Sequence, residues 1–214
     1  MSDNGGFGPM LKLGIILALY AAAACVGLAF VYTGTAKVIA VRAQADLEGA
    51  LKGLFSDADG FENISGTIKS EDPLVVFDSE YAITRGGKVI GVAVQASRGS
   101  YGGDLKVLVG VGNDGVISGV RILEHKDTPG LGANAASESY YVNRAKGLHF
   151  YDQFAGKPLG DPFQVNEDVA AVTAATITSR AVTDAVKASG NAAFAWLAGN
   201  AGAADPAASQ GGSR

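Results

Sequence analysis

The feature that most constrains this chain is an apolar run from Leu13 to Ala36 that contains no charged side chain. As a helix the run extends about 36 Å, enough to cross a hydrocarbon core of roughly 30 Å. A secretory signal peptide is the alternative, with Lys12 as its basic flank and Cys25 after a run of alanines, as at a lipoprotein cleavage site. Because the apolar character continues beyond the cysteine to Tyr32, we predict a retained transmembrane anchor.

The rest of the chain predicts one globular domain between two appendages. Apolar residues at helical spacing over 38–55 predict a stalk, and the polar, Gly-rich stretch 56–72 predicts a connector. The Ala/Gly/Ser/Pro segment beyond Gly199 cannot bury a core. We therefore expect residues 1–12 to be a cytoplasmic N-terminus, 13–36 a transmembrane helix, 37–72 the stalk and connector, 73–198 the domain and 199–214 a disordered tail.

Period-two alternation rich in valine and isoleucine begins at Leu74 and predicts strands. Gly86-Gly87 and Asn113-Asp114-Gly115 are typical hairpin turns between such strands. A later segment with helical spacing, which runs from Ile177 toward Leu197, predicts a final amphipathic helix after Thr176. The predicted fold class is α+β, built of antiparallel hairpins and helices. The expected strands are 81–84, 88–96, 105–111, 116–123, 163–165 and 169–172, with short helices at 138–146 and 149–154.

Composition excludes several classes of function. The formal net charge is −4 and there is no basic cluster, which argues against a nucleic-acid partner. The single cysteine lies inside the apolar run, so a disulfide and a cysteine-ligated iron–sulfur cluster are excluded. Two histidines argue against a zinc centre, and we predict no metal site. No nucleophile–base arrangement and no dinucleotide fingerprint stands out, so we predict no catalytic residue.

The first candidate site is the hydroxyl-rich segment that opens the final helix. The first turn of a helix offers unsatisfied N–H groups and a positive dipole end, which together bind anions. One of the hydroxyls could also carry a phosphate covalently. The alternative is an ordinary Ser/Thr helix cap. The segment consists of Thr173, Ala174, Ala175, Thr176, Ile177, Thr178 and Ser179.

The second candidate site is the loop Thr128-Pro129-Gly130-Leu131-Gly132, which follows the second hairpin. Its proline and glycines permit close approach of backbone N–H groups to a flat ligand or a phosphate, although an ordinary strand-to-helix turn has the same composition. A further flexible turn carries an aromatic ring at Tyr101. We interpret His125 as a hydrogen-bonded structural residue, and Glu124 and Asp127 as a solvated loop face.

Two motifs in this order resemble a known family. HKDTPGLGA (125–133) is similar to an H-K-E-T-P-G-L-G loop, and TAATITSRAV (173–182) to an (S/T)-G-A-T-x-(S/T)-S motif. Both belong to the FMN-binding subunits of bacterial respiratory complexes, RnfG of the Rnf complex and NqrC of the sodium-pumping NADH:quinone oxidoreductase. The segment 100–125 looks like the part that precedes the loop in this family. The resemblance covers about 81–193 plus the anchor, and the histidine and lysine before the loop favour RnfG.

The resemblance implies FMN attached through its phosphate to Thr176, with the 128–132 loop near the flavin ring. It also implies an Rnf-type complex that passes electrons between ferredoxin and NAD and couples this to ion movement. A flavin transferase would attach the FMN, and the domain would lie on the outer side of the cytoplasmic membrane. The charge count, with Lys12 before the span and Lys37 and Arg42 after it, weakly favours the opposite orientation.

Two positions depart from the family motif. Ala174 stands where the family has glycine, and Ala170 stands where the family has the aspartate that the transferase reads. Asp168 lies two positions too early to replace that aspartate. These departures motivate one competing hypothesis, a flavin-free scaffold that helps to assemble the complex. The sequence also leaves open an NqrC-like subunit and a membrane-anchored binding module with an ordinary cap at Thr173.

Overall fold

The computed structural model describes residues 7–200 and divides the chain into two compact units, 1–45 and 46–214. Along the chain, one long helix precedes five strands and a second long helix follows them. Three short 3₁₀ helices lie between the last strand and the last helix. The elements are α1 (Phe7–Leu54), β1 (Gly60–Asn63), β2 (Val75–Arg85), β3 (Lys88–Gly99), β4 (Asp104–Gly112), β5 (Ile117–Glu124), the 3₁₀ helices Gly132–Ala136, Arg144–Lys146 and Tyr151–Phe154, and α2 (Thr176–Asn200).

The first unit contains most of α1. Its large apolar side chains, such as Leu17, Phe30 and Val31, are exposed to the surroundings. Among residues 7–200, α1 is the one helix that is long and apolar enough to cross a membrane. This exposure is what a lipid-facing helix requires, since its apolar surface has no protein partner within the unit.

The second unit is built on an antiparallel meander in the order β1-β2-β3-β4-β5. The predicted hairpin turns at Gly86-Gly87 and 113–115 join β2 to β3 and β4 to β5. Valines of β3 lie opposite valines of β4, as in the pairs Val92–Val111 and Val94–Val109. These side chains are fully buried because α2 covers that face of the sheet.

The opposite face of the sheet is covered by the last turns of α1, which belong to the second unit. Leu47, Leu51 and Phe55 are spaced four residues apart, share one helical face and are buried. The Phe55 ring lies over two sheet glycines, where a Cβ at Gly91 or Gly110 would approach it to 2.8 Å. Because glycine has no side chain, the end of the helix packs directly onto the strands at these positions. The sheet thus lies between this helix end and α2.

The structure corrects several predicted elements. Residues 138–146 form no continuous helix, since only Arg144–Lys146 adopts a 3₁₀ turn. The described residues 163–165 and 169–172 form no strands and are joined only by an isolated bridge between Val165 and Val169. Positive φ angles at Phe163 and Asn166 turn the chain there. The polar stretch 56–72 contains β1, which pairs with β2.

Some predictions are confirmed, and some concern residues outside the described range. The helix predicted over 38–55 exists as the continuation of α1, and the predicted final helix exists and begins at Thr176, one residue before the predicted Ile177. The second short helix is confirmed in part, as Tyr151–Phe154. Of the predicted N-terminal segment and tail, residues 1–6 and 201–214 lie outside the described residues.

Candidate functional site

A cavity of about 480 Å³ lies at the N-terminus of α2. It is bounded by the turn between β3 and β4, the loop after β5, and the segment that opens α2. Its volume falls within the range of about 300–1,000 Å³ that is usual for pockets that hold small molecules. The residues that line it are Tyr101, Asp127, Thr128, Leu131, Gly132, Ala174, Ala175, Thr176, Ile177 and Thr178.

The cavity brings together residues from all three segments singled out in the sequence. Eight of the twelve predicted site residues line it: Tyr101, Thr128, Leu131, Gly132, Ala174, Ala175, Thr176 and Thr178. Four do not, namely Pro129, Gly130, Thr173 and Ser179. Pro129 and Gly130 are exposed on the far part of the loop, and Ser179 is buried beneath the helix start. Two lining residues lie outside the predicted set, Asp127 and Ile177.

The lining combines apolar rings and chains with hydroxyls. Tyr101, Leu131 and Ile177 are large, apolar and exposed, with 73% of Tyr101 accessible. The Thr176 hydroxyl belongs to an exposed residue at the first position of α2. The first N–H groups of a helix lack intrahelical partners and carry the positive end of its dipole, so this end of the cavity favours an anion. Together the lining suits a flat aromatic ligand that carries a phosphate.

Three side chains fix the backbone that leads to Thr176. The Gln153 amide donates to the Ala170 carbonyl at 3.1 Å and accepts from the Ala170 N–H at 2.8 Å. The Tyr140 hydroxyl donates to Thr173 Oγ1 and accepts from the Thr173 N–H, both at 3.1 Å. The buried Ser179 hydroxyl accepts from the Val172 N–H at 2.9 Å and donates to the Ala175 carbonyl. The backbone of the segment is thus held at Ala170, Val172 and Thr173, which fixes where α2 begins.

Thr173 is therefore not an ordinary helix cap. The first helical residue is Thr176, so the cap position falls on Ala175, and the Thr173 hydroxyl, two residues earlier, accepts from Tyr140. The cap interpretation of Thr173 is wrong because the position of the hydroxyl is set by a tyrosine from a distant loop. The Ser179 hydroxyl makes a local hydrogen bond to the Ala175 carbonyl, but Ser179 lies within α2 and not at its cap position.

Ala174 adopts the left-handed conformation, with φ of 58°. An L-residue meets steric strain there, whereas glycine does not. The glycine of the family motif thus corresponds to a backbone conformation that this chain reaches with alanine. Ala174 therefore differs from the family glycine in its side chain, while its backbone keeps the left-handed conformation that glycine favours.

Asp127 corrects the prediction of a solvated loop face. Only 6% of it is exposed, and its carboxylate accepts from Ser100 Oγ and from the Gly102 N–H, each at 2.7 Å. Glu124, by contrast, is exposed and pairs with Lys106 at 3.0 Å. The hydrogen bond from the Lys106 ammonium holds the pKa of Glu124 below its usual value. Each carboxylate is thus bound by its own donors, Asp127 by Ser100 and Gly102 and Glu124 by Lys106, and neither is free for acid–base work.

His125 also departs from its predicted role. Its Nδ1 is buried without a hydrogen-bond partner among residues 7–200, which contradicts the prediction of a hydrogen-bonded structural histidine.

Asp168 has a structural role that the sequence does not reveal. Its carboxylate accepts from the Lys157 ammonium at 2.9 Å and from the N–H groups of Phe163 and Gln164. Burial alone would raise the pKa of Asp168, but these donors outweigh it and hold the pKa below its usual value.

Two matches to known families define the class of protein to which this chain belongs. Residues 100–190 match the FMN-binding domain family, and this range contains every residue that lines the cavity. Residues 1–54, the whole of α1 with the residues before it, match the RnfG N-terminal region.

Curated relatives agree with both matches. The G subunit of the proton-translocating ferredoxin:NAD(+) oxidoreductase complex of Clostridium ljungdahlii is 34% identical over 75% of this chain and 78% of the relative. Its Na(+)-translocating counterpart from Acetobacterium woodii is 31% identical over 83% and 88%. The G subunit of the ion-translocating oxidoreductase complex of Shewanella baltica is 34% identical over 84% and 87%. The chain belongs to the RnfG family of ion-translocating oxidoreductase subunits, as its motifs predict.

Proposed function

We propose that this chain is the membrane-anchored, electron-carrying subunit of an ion-translocating ferredoxin:NAD oxidoreductase complex, with FMN esterified to Thr176. The single observation that supports the proposal is the cavity at the start of α2, whose lining includes Thr176 together with the large, exposed Tyr101, Leu131 and Ile177. FMN, when bound, supplies the redox chemistry, while the protein sets its position and solvent access. The chain completes no reaction alone and serves the complex as a redox subunit.

The residues of the cavity have separable roles in this proposal. Thr176 would provide the oxygen that forms the bond to the phosphorus of an FMN donor activated as a phosphoanhydride. The P–O–P bond of that donor would break, its second phosphate group would leave, and the hydroxyl proton would pass to solvent. The N–H groups of the first turn of α2 offset the remaining phosphate charge. Tyr101 and Leu131 offer flat and apolar surface to the flavin ring. Thr128 and Gly132 bring backbone close to it.

The covalent bond would be made by a flavin transferase and would prevent loss of the cofactor. We place the domain on the outer side of the membrane, following the family resemblance over the weak count of Lys12 against Lys37 and Arg42. Free FMN is expected to be scarce there, so retention by an ester gives an advantage that reversible binding lacks. The remaining subunits of the complex are the proposed partners.

The test compares two hydroxyls of the same helix turn. The full chain, produced with a flavin transferase, should give a fluorescent band after denaturing electrophoresis. Thr176→Val removes the proposed ester oxygen while keeping the β-branched shape, and it should abolish the band. Because Thr176 is exposed, the substitution should cost at most about 1 kcal/mol of stability. Thr178→Val is the matched control and should keep the band.

The outcomes separate the competing hypotheses. If the band survives Thr176→Val and disappears in Thr178→Val, the ester is on Thr178, and its assignment to Thr176 is wrong. A wild-type chain that folds and never becomes fluorescent, although the transferase is active on another substrate, refutes the covalent flavoprotein and favours the flavin-free scaffold. Ala170, which replaces the aspartate of the family motif, would then be the first position to restore.

A further inference from the structure

Asp127 is the one carboxylate among the residues that line the cavity, and its two oxygens bind the neighbouring turn on either side of Tyr101. One oxygen accepts from the Ser100 hydroxyl and the other from the Gly102 N–H, both at 2.7 Å. The two donors are the residues immediately before and after Tyr101 in the sequence. The carboxylate therefore clamps the short segment that carries the ring.

The backbone packing around this carboxylate is equally close. A Cβ at Gly102 would collide with the Lys126 carbonyl and would lie 2.8 Å from Asp127 Cα. A Cβ at Gly132 would lie 2.7 Å from Asp127 Cβ and 2.5 Å from Thr178 Oγ1. Asp127 thus contacts the turn after β3 on one side and the 128–132 loop on the other, and that loop contacts α2. Its place in the fold is the junction of all three walls of the cavity.

The Tyr101 ring itself has little other support. The side chain is 73% exposed although it lines the cavity, so its own packing does not hold it in place. Hydrogen bonds to an ionised acceptor are stronger than neutral ones, and each shifts the ratio of a held to a released turn by roughly tenfold. The position of the ring consequently depends on the clamp beneath it.

We propose that Asp127 is a positioning residue that holds the Tyr101 ring against the flavin in this cavity, an inference that rests on the proposed function. The readout is the fluorescence of the folded, loaded protein, because a phenol ring stacked on a flavin quenches its emission by electron transfer. Emission is measured per bound flavin, with the flavin quantified by absorbance after denaturation. Tyr101→Leu removes the quencher and defines the unquenched level.

The full-length chain, loaded by the transferase, should respond to substitutions of Asp127 in a graded way. Asp127→Ala removes both acceptors, and its emission should rise severalfold to the level of Tyr101→Leu. Asp127→Asn should remain close to wild type, because its carbonyl accepts from Gly102 N–H and its NH₂ donates to the Ser100 hydroxyl oxygen. Asp104→Ala, an exposed carboxylate of the same hairpin, is the matched control and should not change emission.

A double substitution tests the coupling directly. If Asp127 acts through the ring, Asp127→Ala adds nothing to emission in the Tyr101→Leu background. If Asp127→Ala does not fold, Ser100→Ala takes its place, with an intermediate rise that also disappears in that background. Wild-type emission from the folded Asp127→Ala or Ser100→Ala protein, or additive effects with Tyr101→Leu, overturns the inference alone. A wild-type chain that retains no flavin after denaturation overturns the proposed function, and the inference with it.

Discussion

Replacing Ala174 with glycine should stabilise the second unit, because this alanine occupies the left-handed region with φ of 58°. That conformation costs an L-residue about 1–2 kcal/mol. Glycine removes the strain but gains freedom in the unfolded chain, which costs about 0.4–1 kcal/mol. The methyl group is exposed, so no burial is lost. The free energy of unfolding should therefore rise by about 1 kcal/mol, which for a unit of this size raises Tm by about 3 °C.

The assay uses the single tryptophan of the chain, Trp196, which is partly buried in α2 and packs on the core. Its fluorescence follows urea unfolding of the full chain in detergent. Ala175→Gly is the matched control, since this neighbour has no positive φ and buries its methyl group. The control should lose about 1–2 kcal/mol, from the lost burial and the added backbone freedom. If both substitutions lower the urea midpoint equally, strain at Ala174 is not what the family glycine relieves.

Two further predictions concern orientation and acid stability. A topology reporter fused after Arg214 should report the outer side of the membrane, and a cytoplasmic signal would instead support the charge count around the span. Since the pKa of Asp168 is depressed in the folded state, its contribution to stability is present above about pH 4 and is lost as the pH falls through the folded pKa. Asp168→Asn should flatten the fall of the urea midpoint in that acid range.

Features that depend on short stretches of sequence could be predicted. The hairpins on either side of Gly86-Gly87 and at 113–115 follow from alternation and turn residues, and the structure has both. The existence of α2 follows from its helical spacing, and its start at Thr176 lies one residue before the predicted Ile177. The segments that meet in the cavity are identifiable because the family motifs mark them. Local propensity and a resemblance are sufficient for these features.

Features that depend on distant partners could not be predicted. Asp127 resembles an ordinary loop carboxylate in the sequence because its donor Ser100 lies 27 residues earlier. Tyr140 reaches Thr173 across 33 residues, and nothing in the local pattern distinguishes it from a neighbouring tyrosine. Burial and hydrogen bonding across the fold decide these positions, and one sequence does not reveal them.

The position of the cavity along the chain has a consequence for the order of events during biosynthesis. Its two sides come from residues 101–132 and 174–178, and the second belongs to the last helix described. A ribosome makes the chain from the N-terminus, so α1 and all five strands are complete before α2 leaves the exit tunnel. The cavity can close only after α2 has emerged. Occupation of the site would therefore mark a chain whose synthesis has passed α2 and that has docked this helix.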